Sequence, residues 1–301
     1  MNNFLKSICL YSMLEMNSLP IVESLRKNHA LTQLEVSRCQ LDSAAVKALC
    51  EIRPPQLTWL DISINDIGNE GAKSLCAWLQ SPTNNLTYLN ALSCGFSSEV
   101  GVHFSESLRR NCKLKTLYLD SNELGDIGIA AISSALMSNS SLTALSVKYN
   151  EFSAAGAIAL ASALRHNRGL VSLDLGDNPN MESDARQEEA SSCLLRMVEG
   201  NARLLHLSFD TVGSSSLTLN MLLERNYKCR LAARDAALCF VACRQFRKAE
   251  FLLGTVPVPI IVTIARMVWH SRGDEEWLQA LEDTSTVASF TDNPRQLRDT
   301  N

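Results

Sequence analysis

The chain's strongest constraint is one short pattern that returns along its length: L-x-x-L-x-L-x-x-N/C. It reads "LTQLEVSRC" from Leu31, "LTWLDISIN" from Leu57, "LTYLNALSC" from Leu86 and "LKTLYLDSN" from Leu114. It continues as "LTALSVKYN" from Leu142 and "LVSLDLGDN" from Leu170. Weaker copies flank these, "LKSICLYSM" from Leu5 and "LLHLSFDTV" from Leu204. Successive starts differ by 26, 26, 29, 28, 28, 28 and 34 residues. A fixed period of this length is the mark of a stacked array, in which each unit is one supersecondary element. Alternating apolar residues at the start of each unit predict a strand, and the later spacing, as in Leu75 and Leu79, predicts a helix. One strand and one helix cannot bury their apolar faces alone. Stacking them does so, at about 1.5–3 kcal/mol for each fully buried Leu or Ile.

These units resemble leucine-rich repeats. The period near 28, the G-x-x-x-L-x-x-x-L helix and the alternation Cys39, Asn65, Cys94, Asn122 at the ninth position resemble the ribonuclease-inhibitor-like subclass. The resemblance covers roughly residues 5–212 and implies an α/β solenoid: a curved parallel sheet with helices on the convex face. The ninth-position Asn turns inward, where its amide serves neighbouring backbone, and a Cys fits the same slot as a weaker donor. Gly71, Gly128 and Gly156 share a repeat offset and allow close packing at the helix start.

The expected organisation is a solenoid of about eight repeats over 1–216, a helical C-terminal cap or small domain over 217–285, and a polar tail over 286–301. An open solenoid end exposes core and strand edge and needs a cap. Between Leu217 and Glu250, seven Lys and Arg stand against three Asp and Glu, so this stretch is basic in a chain of net charge −4. The run "FLLGTVPVPIIVTIA" is too short and too rich in proline for a membrane span. Its "VPVP" opening is similar to F-box and SOCS-box segments, and the acid-rich "DEEWLQALED" resembles C-terminal signals of bacterial type IV effectors.

Residue types that carry catalysis or bind metal are not arranged to do so. No phosphate-binding loop, dinucleotide fingerprint, zincin motif or nucleophile elbow is present. The five His are dispersed, and Cys239 and Cys243, one turn apart, lack the second pair a zinc site needs. The expectation is a non-enzyme with no cofactor and no metal. Ten Cys without a framework fit a reducing, cytoplasmic setting, or the host cytosol for a secreted bacterial effector.

Binding remains. Side chains alternate across a strand, so the third, fifth, seventh and eighth motif positions face away from the Leu core. Those positions hold Trp59, Tyr88, Tyr118 and Tyr149 on four successive strands, a diagonal of about 15 Å. Acids surround it: Asp61, Asp120 and Asp174, with Glu35, Asp177 and Asp210. Aromatic residues are enriched at interface hot spots. Trp59, Asp61, Tyr88, Tyr118, Asp120, Tyr149 and Asp174 are therefore the expected partner-binding set. They suit a protein partner with a basic or apolar contact surface, and not nucleic acid. The alternative role is a ubiquitin-ligase adaptor whose C-terminal helices recruit a ligase scaffold while the repeats bind substrate.

Overall fold

A computed structural model describes residues 5–12, 18–178, 180, 186–209 and 218–231. Every motif forms a strand that begins two residues after its first Leu. These are β1 (Ser7–Tyr11), β2 (Gln33–Ser37), β3 (Trp59–Asp61), β4 (Tyr88–Asn90), β5 (Thr116–Tyr118), β6 (Ala144–Ser146), β7 (Ser172–Asp174) and β8 (His206–Ser208). They form one parallel sheet in chain order, so both weak flanking copies are genuine repeats. The register is that of the motif: Trp59 lies beside Tyr88, Tyr88 beside Thr116, and Ala144 beside Ser172.

Between strands run α1 (Ser18–Ser24), α2 (Ser43–Ile52), α3 (Gly68–Leu79), α4 (Ser98–Arg110), α5 (Gly125–Leu136), α6 (Ala154–Leu164) and α7 (Gln187–Gly200). A further helical stretch covers 218–231. Leu34, Leu60, Leu89, Leu117 and Leu145, at the fourth position of their motifs, are buried, as are the first Leu of each unit from Leu31 to Leu204. Their strand neighbours at the third and fifth positions are mostly half-buried, so the helices cover one face of the sheet only. Parallel sheets normally carry cover on both faces. Strands sit about 4.8 Å apart and packed helices about 8–10 Å apart, so the stack bends with the open sheet face inward.

The ladder Asn residues work as their position predicts. Asn122 is buried; its Oδ1 accepts from the Cys94 and Phe96 N–H groups, both at 3.1 Å. Its Nδ2 donates to the carbonyls of Ala91, Leu119 and Asp120 at 3.0, 2.8 and 3.1 Å. Asn65 repeats this one unit earlier, accepting from Cys39 and Leu41. Cys94 only donates, from Sγ to the Ile62 and Leu92 carbonyls. The residue before each rung is left-handed: Arg38, Ile64, Ser93, Ser121, Tyr149 and Asp177 have φ between 51° and 57°. For β-branched Ile64 this conformation is costly. The rung beside it, Asn65, holds five hydrogen bonds that fix the turn.

A second asparagine ladder runs along the opposite edge. Asn111, Asn139, Asn167 and Asn201 are buried three residues before Leu114, Leu142, Leu170 and Leu204. Each donates to a carbonyl at the end of the preceding unit's helix: Leu79 at 2.7 Å, Leu108 at 2.6 Å, Leu136 at 2.6 Å and Leu164 at 2.7 Å. Helix ends leave such carbonyls without partners, and this ladder supplies them. Asn226, within the stretch 218–231, adds a last rung by donating to the Asn201 and Leu204 carbonyls at 3.0 and 2.9 Å. Leu219 joins the buried core beneath it. Asn139 also heads a glycosylation sequon, but its amide is consumed by the fold.

Glycine sets the helix spacing. A Cβ on Gly101 would lie 2.3 Å from the Gly128 Cα, so α4 and α5 touch backbone to backbone there. Gly71, Gly128 and Gly156 fill the shared offset; Gly101 stands one residue later because the turn between β4 and α4 is one residue longer than those before α3 and α5. Cys239, Cys243, the proline-rich run, the acidic segment and the tail lie outside the described residues, as do most of the expected C-terminal helices.

Candidate functional site

The third and fifth motif positions flank a buried Leu, so their side chains share the sheet's open face. In register on β3 and β4, Trp59 and Tyr88 stack with ring centroids 4.7 Å apart and planes inclined by 10°. Tyr118, at the fifth position of β5, meets Tyr88 edge to face at 5.7 Å and 85°. Stacked and edge-to-face pairs are the favoured geometries of aromatic quadrupoles. All three rings are half-buried. Burial pushes the Tyr88 phenol up to about 12, helped by the negative charges of Asp61 and Glu35, so its hydroxyl remains a neutral donor and acceptor.

Tyr149 comes from the turn after β6 and is 53% exposed. Its ring lies 6.0 Å from the Lys148 ammonium. That ammonium also reaches Asp177 at 3.3 Å and Asp174 at 3.8 Å, and the Asp177 contact raises the lysine's pKa. Lys148 thus offsets part of the negative charge that Asp174 and Asp177 bring to the C-terminal part of the face.

Asp61 departs from expectation. It stands on the open face but is only 8% exposed. Its Oδ1 accepts from the Ser63 N–H at 2.9 Å and the Ser63 hydroxyl at 2.6 Å, and its Oδ2 from the Asn90 amide at 2.8 Å. Asn90 does the same to the Leu92 N–H at 3.2 Å, and Asp174 to the Gly176 N–H at 3.1 Å. The fifth position thus favours Asp or Asn because the side chain folds back two residues to hold the strand exit. Asp120, at the seventh position, accepts on Oδ1 from the Ser146 hydroxyl and from the Lys148 N–H at 2.8 Å. Burial raises its pKa against those two bonds. Of the acids expected as a displayed rim, Asp61 and Asp120 are turned into the sheet. Glu35 accepts from the Cys9 thiol at 3.1 Å and from the Ser37 hydroxyl. Asp210 lies outside the described residues.

Alternation gives the face of a residue, not whether its polar atoms are already occupied. Asp or Asn at the fifth position in three repeats was the available signal. Among the described residues, no group of three His, Cys, Asp or Glu side chains is placed to hold a metal, and no helix is long and apolar enough to cross a membrane.

Comparison with known proteins agrees with this geometry. The family model described as Leucine Rich repeat matches residues 27–50, 55–76, 110–133 and 138–161. The chain is 37% identical over 109 residues to human NACHT, LRR and PYD domains-containing protein 13, covering 36% of this chain and 10% of that one. It is 33% identical over 135 residues to protein 9 of the same series from Bos taurus, covering 44% and 14%. Ribonuclease inhibitor from Sus scrofa is 34% identical over 108 residues, covering 35% and 24%. The matched region thus spans between a tenth and a quarter of the length of these relatives.

Proposed function

We propose that this chain, built of leucine-rich repeats of the ribonuclease-inhibitor-like type, is a protein-binding scaffold that seats its partner on the open face of the sheet. Leucine-rich repeats generally mediate protein–protein interaction, and the observation that carries the present reading is the Trp59–Tyr88–Tyr118 ring cluster. Three large, mutually fixed rings on an otherwise uncovered sheet offer apolar contact area at small entropic cost, as interface hot spots do. The sheet itself supports the reading, because a parallel sheet with one bare face leaves room for a second body.

The partner chemistry follows from what remains displayed. The rings supply an apolar centre, and the Tyr88 and Tyr118 hydroxyls supply polar handles. With Asp61 and Asp120 turned inward, discrimination rests on the rings more than on a negative rim. Buried cysteines support a reducing, cytoplasmic setting: Cys39 and Cys94 donate to ladder carbonyls, and burial pushes the Cys50, Cys76 and Cys94 thiols up to about 12. The effector and ligase-adaptor readings depend on segments after residue 231, and no described residue favours either.

Site-specific photocrosslinking tests the proposal. A photoreactive residue in place of Thr116, beside Tyr88 in the sheet, is expected to capture the partner. The same residue in place of Lys47, exposed on α2, is expected not to. Capture from Lys47 alone would move the interface to the helices.

A further inference from the structure

The edge where helices end and strands begin carries a different surface. Arg109, Met137 and Arg165 each stand five residues before the first Leu of three successive motifs, so they occupy equivalent places on neighbouring units. All three are exposed, Met137 by 58%. They lie at the ends of α4, α5 and α6, helices that pack about 8–10 Å apart. Arg110, Lys113, Lys115 and Arg168 flank this row. The segments 108–119, 137–143 and 164–171 contain no Asp or Glu, and Glu199 at the equivalent place of the next unit bounds the patch.

These cations are not neutralised by the fold. Arg109 donates to the Ser134 hydroxyl at 2.9 Å, Arg110 to the Gln80 amide oxygen at 3.4 Å, and Lys113 to Asn85 Oδ1 at 2.8 Å and the Pro82 carbonyl at 3.3 Å. None of those acceptors is a carboxylate, and among the described residues none of the six cations is in an ion pair. Several acids of the opposite edge are engaged within the fold. Asp42 accepts from the Ala45 N–H, Asp126 from the Ser153 and Gly156 N–H groups, and Glu70 and Glu99 share Lys73. Asp66, Glu123 and Glu151 on that edge are exposed, so sedimentation of the chain without vesicles is the control that separates lipid binding from self-association. Favourable interaction with helix C-termini accounts for cations at Arg109, Arg110 and Arg165. It does not account for Lys113 and Lys115 beyond the helix end, nor for a bare methionine between two arginines.

We propose that this edge binds an anionic lipid surface, with Met137 entering the acyl boundary and the six cations resting on headgroups. An apolar side chain flanked by cations and free of acids fits such a surface. Single-stranded nucleic acid fits less well, because the three segments present no Trp, Tyr or Phe ring on this edge for base stacking and His166 supplies one imidazole alone. This surface is separate from the open sheet face and stands whether or not that face binds protein.

The test is cosedimentation of the full chain with vesicles of three parts phosphatidylcholine to one part phosphatidylserine, against phosphatidylcholine alone. The full chain is expected to sediment with the anionic vesicles only, and progressively less as salt rises. Each Lys or Arg near a lipid surface changes partitioning about fivefold, so Arg109→Ala/Arg110→Ala/Arg165→Ala is expected to weaken it about a hundredfold. Met137→Ser is expected to weaken it several-fold. The charge-matched control Lys47→Ala/Arg196→Ala/Lys228→Ala is expected to bind like the parent, and an unchanged melting temperature certifies each variant. Failure to bind anionic vesicles overturns the proposal. So does binding that the triple edge variant retains, which would place the lipid contact elsewhere in the chain. Binding of soluble polyglutamate without binding of vesicles would assign the edge to an acidic protein instead.

Discussion

The carboxylates at the strand exits hold backbone in place, and their substitution separates architecture from recognition. Asp120 keeps two donors on one oxygen, from Ser146 and Lys148, while burial raises its pKa above the ordinary 3.8. The folded state then binds that proton more tightly than the unfolded chain. Its contribution to stability is full below the ordinary value and is lost as pH rises through the raised one. Asp120→Asn retains an acceptor oxygen and removes the titration, so its urea midpoint relative to the parent is expected to climb from acidic to neutral pH. A difference flat with pH would mean that Asp120 is not desolvated. For the ladder, Asn122→Ala leaves buried N–H and carbonyl groups without partners, at a cost of about 1–3 kcal/mol. Chemical denaturation measures this directly, and an unchanged midpoint would contradict the rung's role.

At the scale of elements, the spacing of α4 and α5 depends on the absence of a side chain. Gly101→Ala would drive a Cβ to 2.3 Å from the Gly128 backbone, and backbone cannot swing aside. Overpacking of this kind costs about 1–3 kcal/mol. Gly200, at the end of α7, has open space where a methyl would stand, with nothing within 4 Å. Gly200→Ala is therefore expected to be neutral or to stabilise by up to about 1 kcal/mol. Thermal melting of the two variants checks both signs. The strands, their register and the first ladder were legible because L-x-x-L-x-L-x-x-N encodes face, period and inward amide together. Gly101 was not, since the longer turn between β4 and α4 shifts it out of the shared offset while its repeat keeps the common length of 28 residues. The second ladder is spelled N-x-x-L before Leu114, Leu142, Leu170 and Leu204. It escapes a reading by hydrophobic period because a buried Asn looks like an ordinary loop residue until the helix carbonyls it serves are in place. The ring cluster was half legible: third-position Trp59 and Tyr88 share a register. The inward turn of Asp61 depends on Ser63 and Asn90, which alternation alone does not relate.

For the whole molecule, two surfaces answer to different physics. The open face offers rings that gain from desolvation and should tolerate salt. The basic edge acts through charge and should weaken with salt. The central claim concerns the open face, and a double substitution there tests it most directly. Partners retained on immobilised full-length chain are quantified by mass spectrometry beside Trp59→Ala/Tyr88→Ala, with melting temperatures measured in parallel. Truncating hot-spot aromatics costs about 2–4 kcal/mol each, so specific partners should fall at least tenfold while the melting temperature moves little. Lys47→Glu on α2 serves as the control and should retain the parent's partners. The same partners held equally by the parent and the double variant, both folded, would contradict the account.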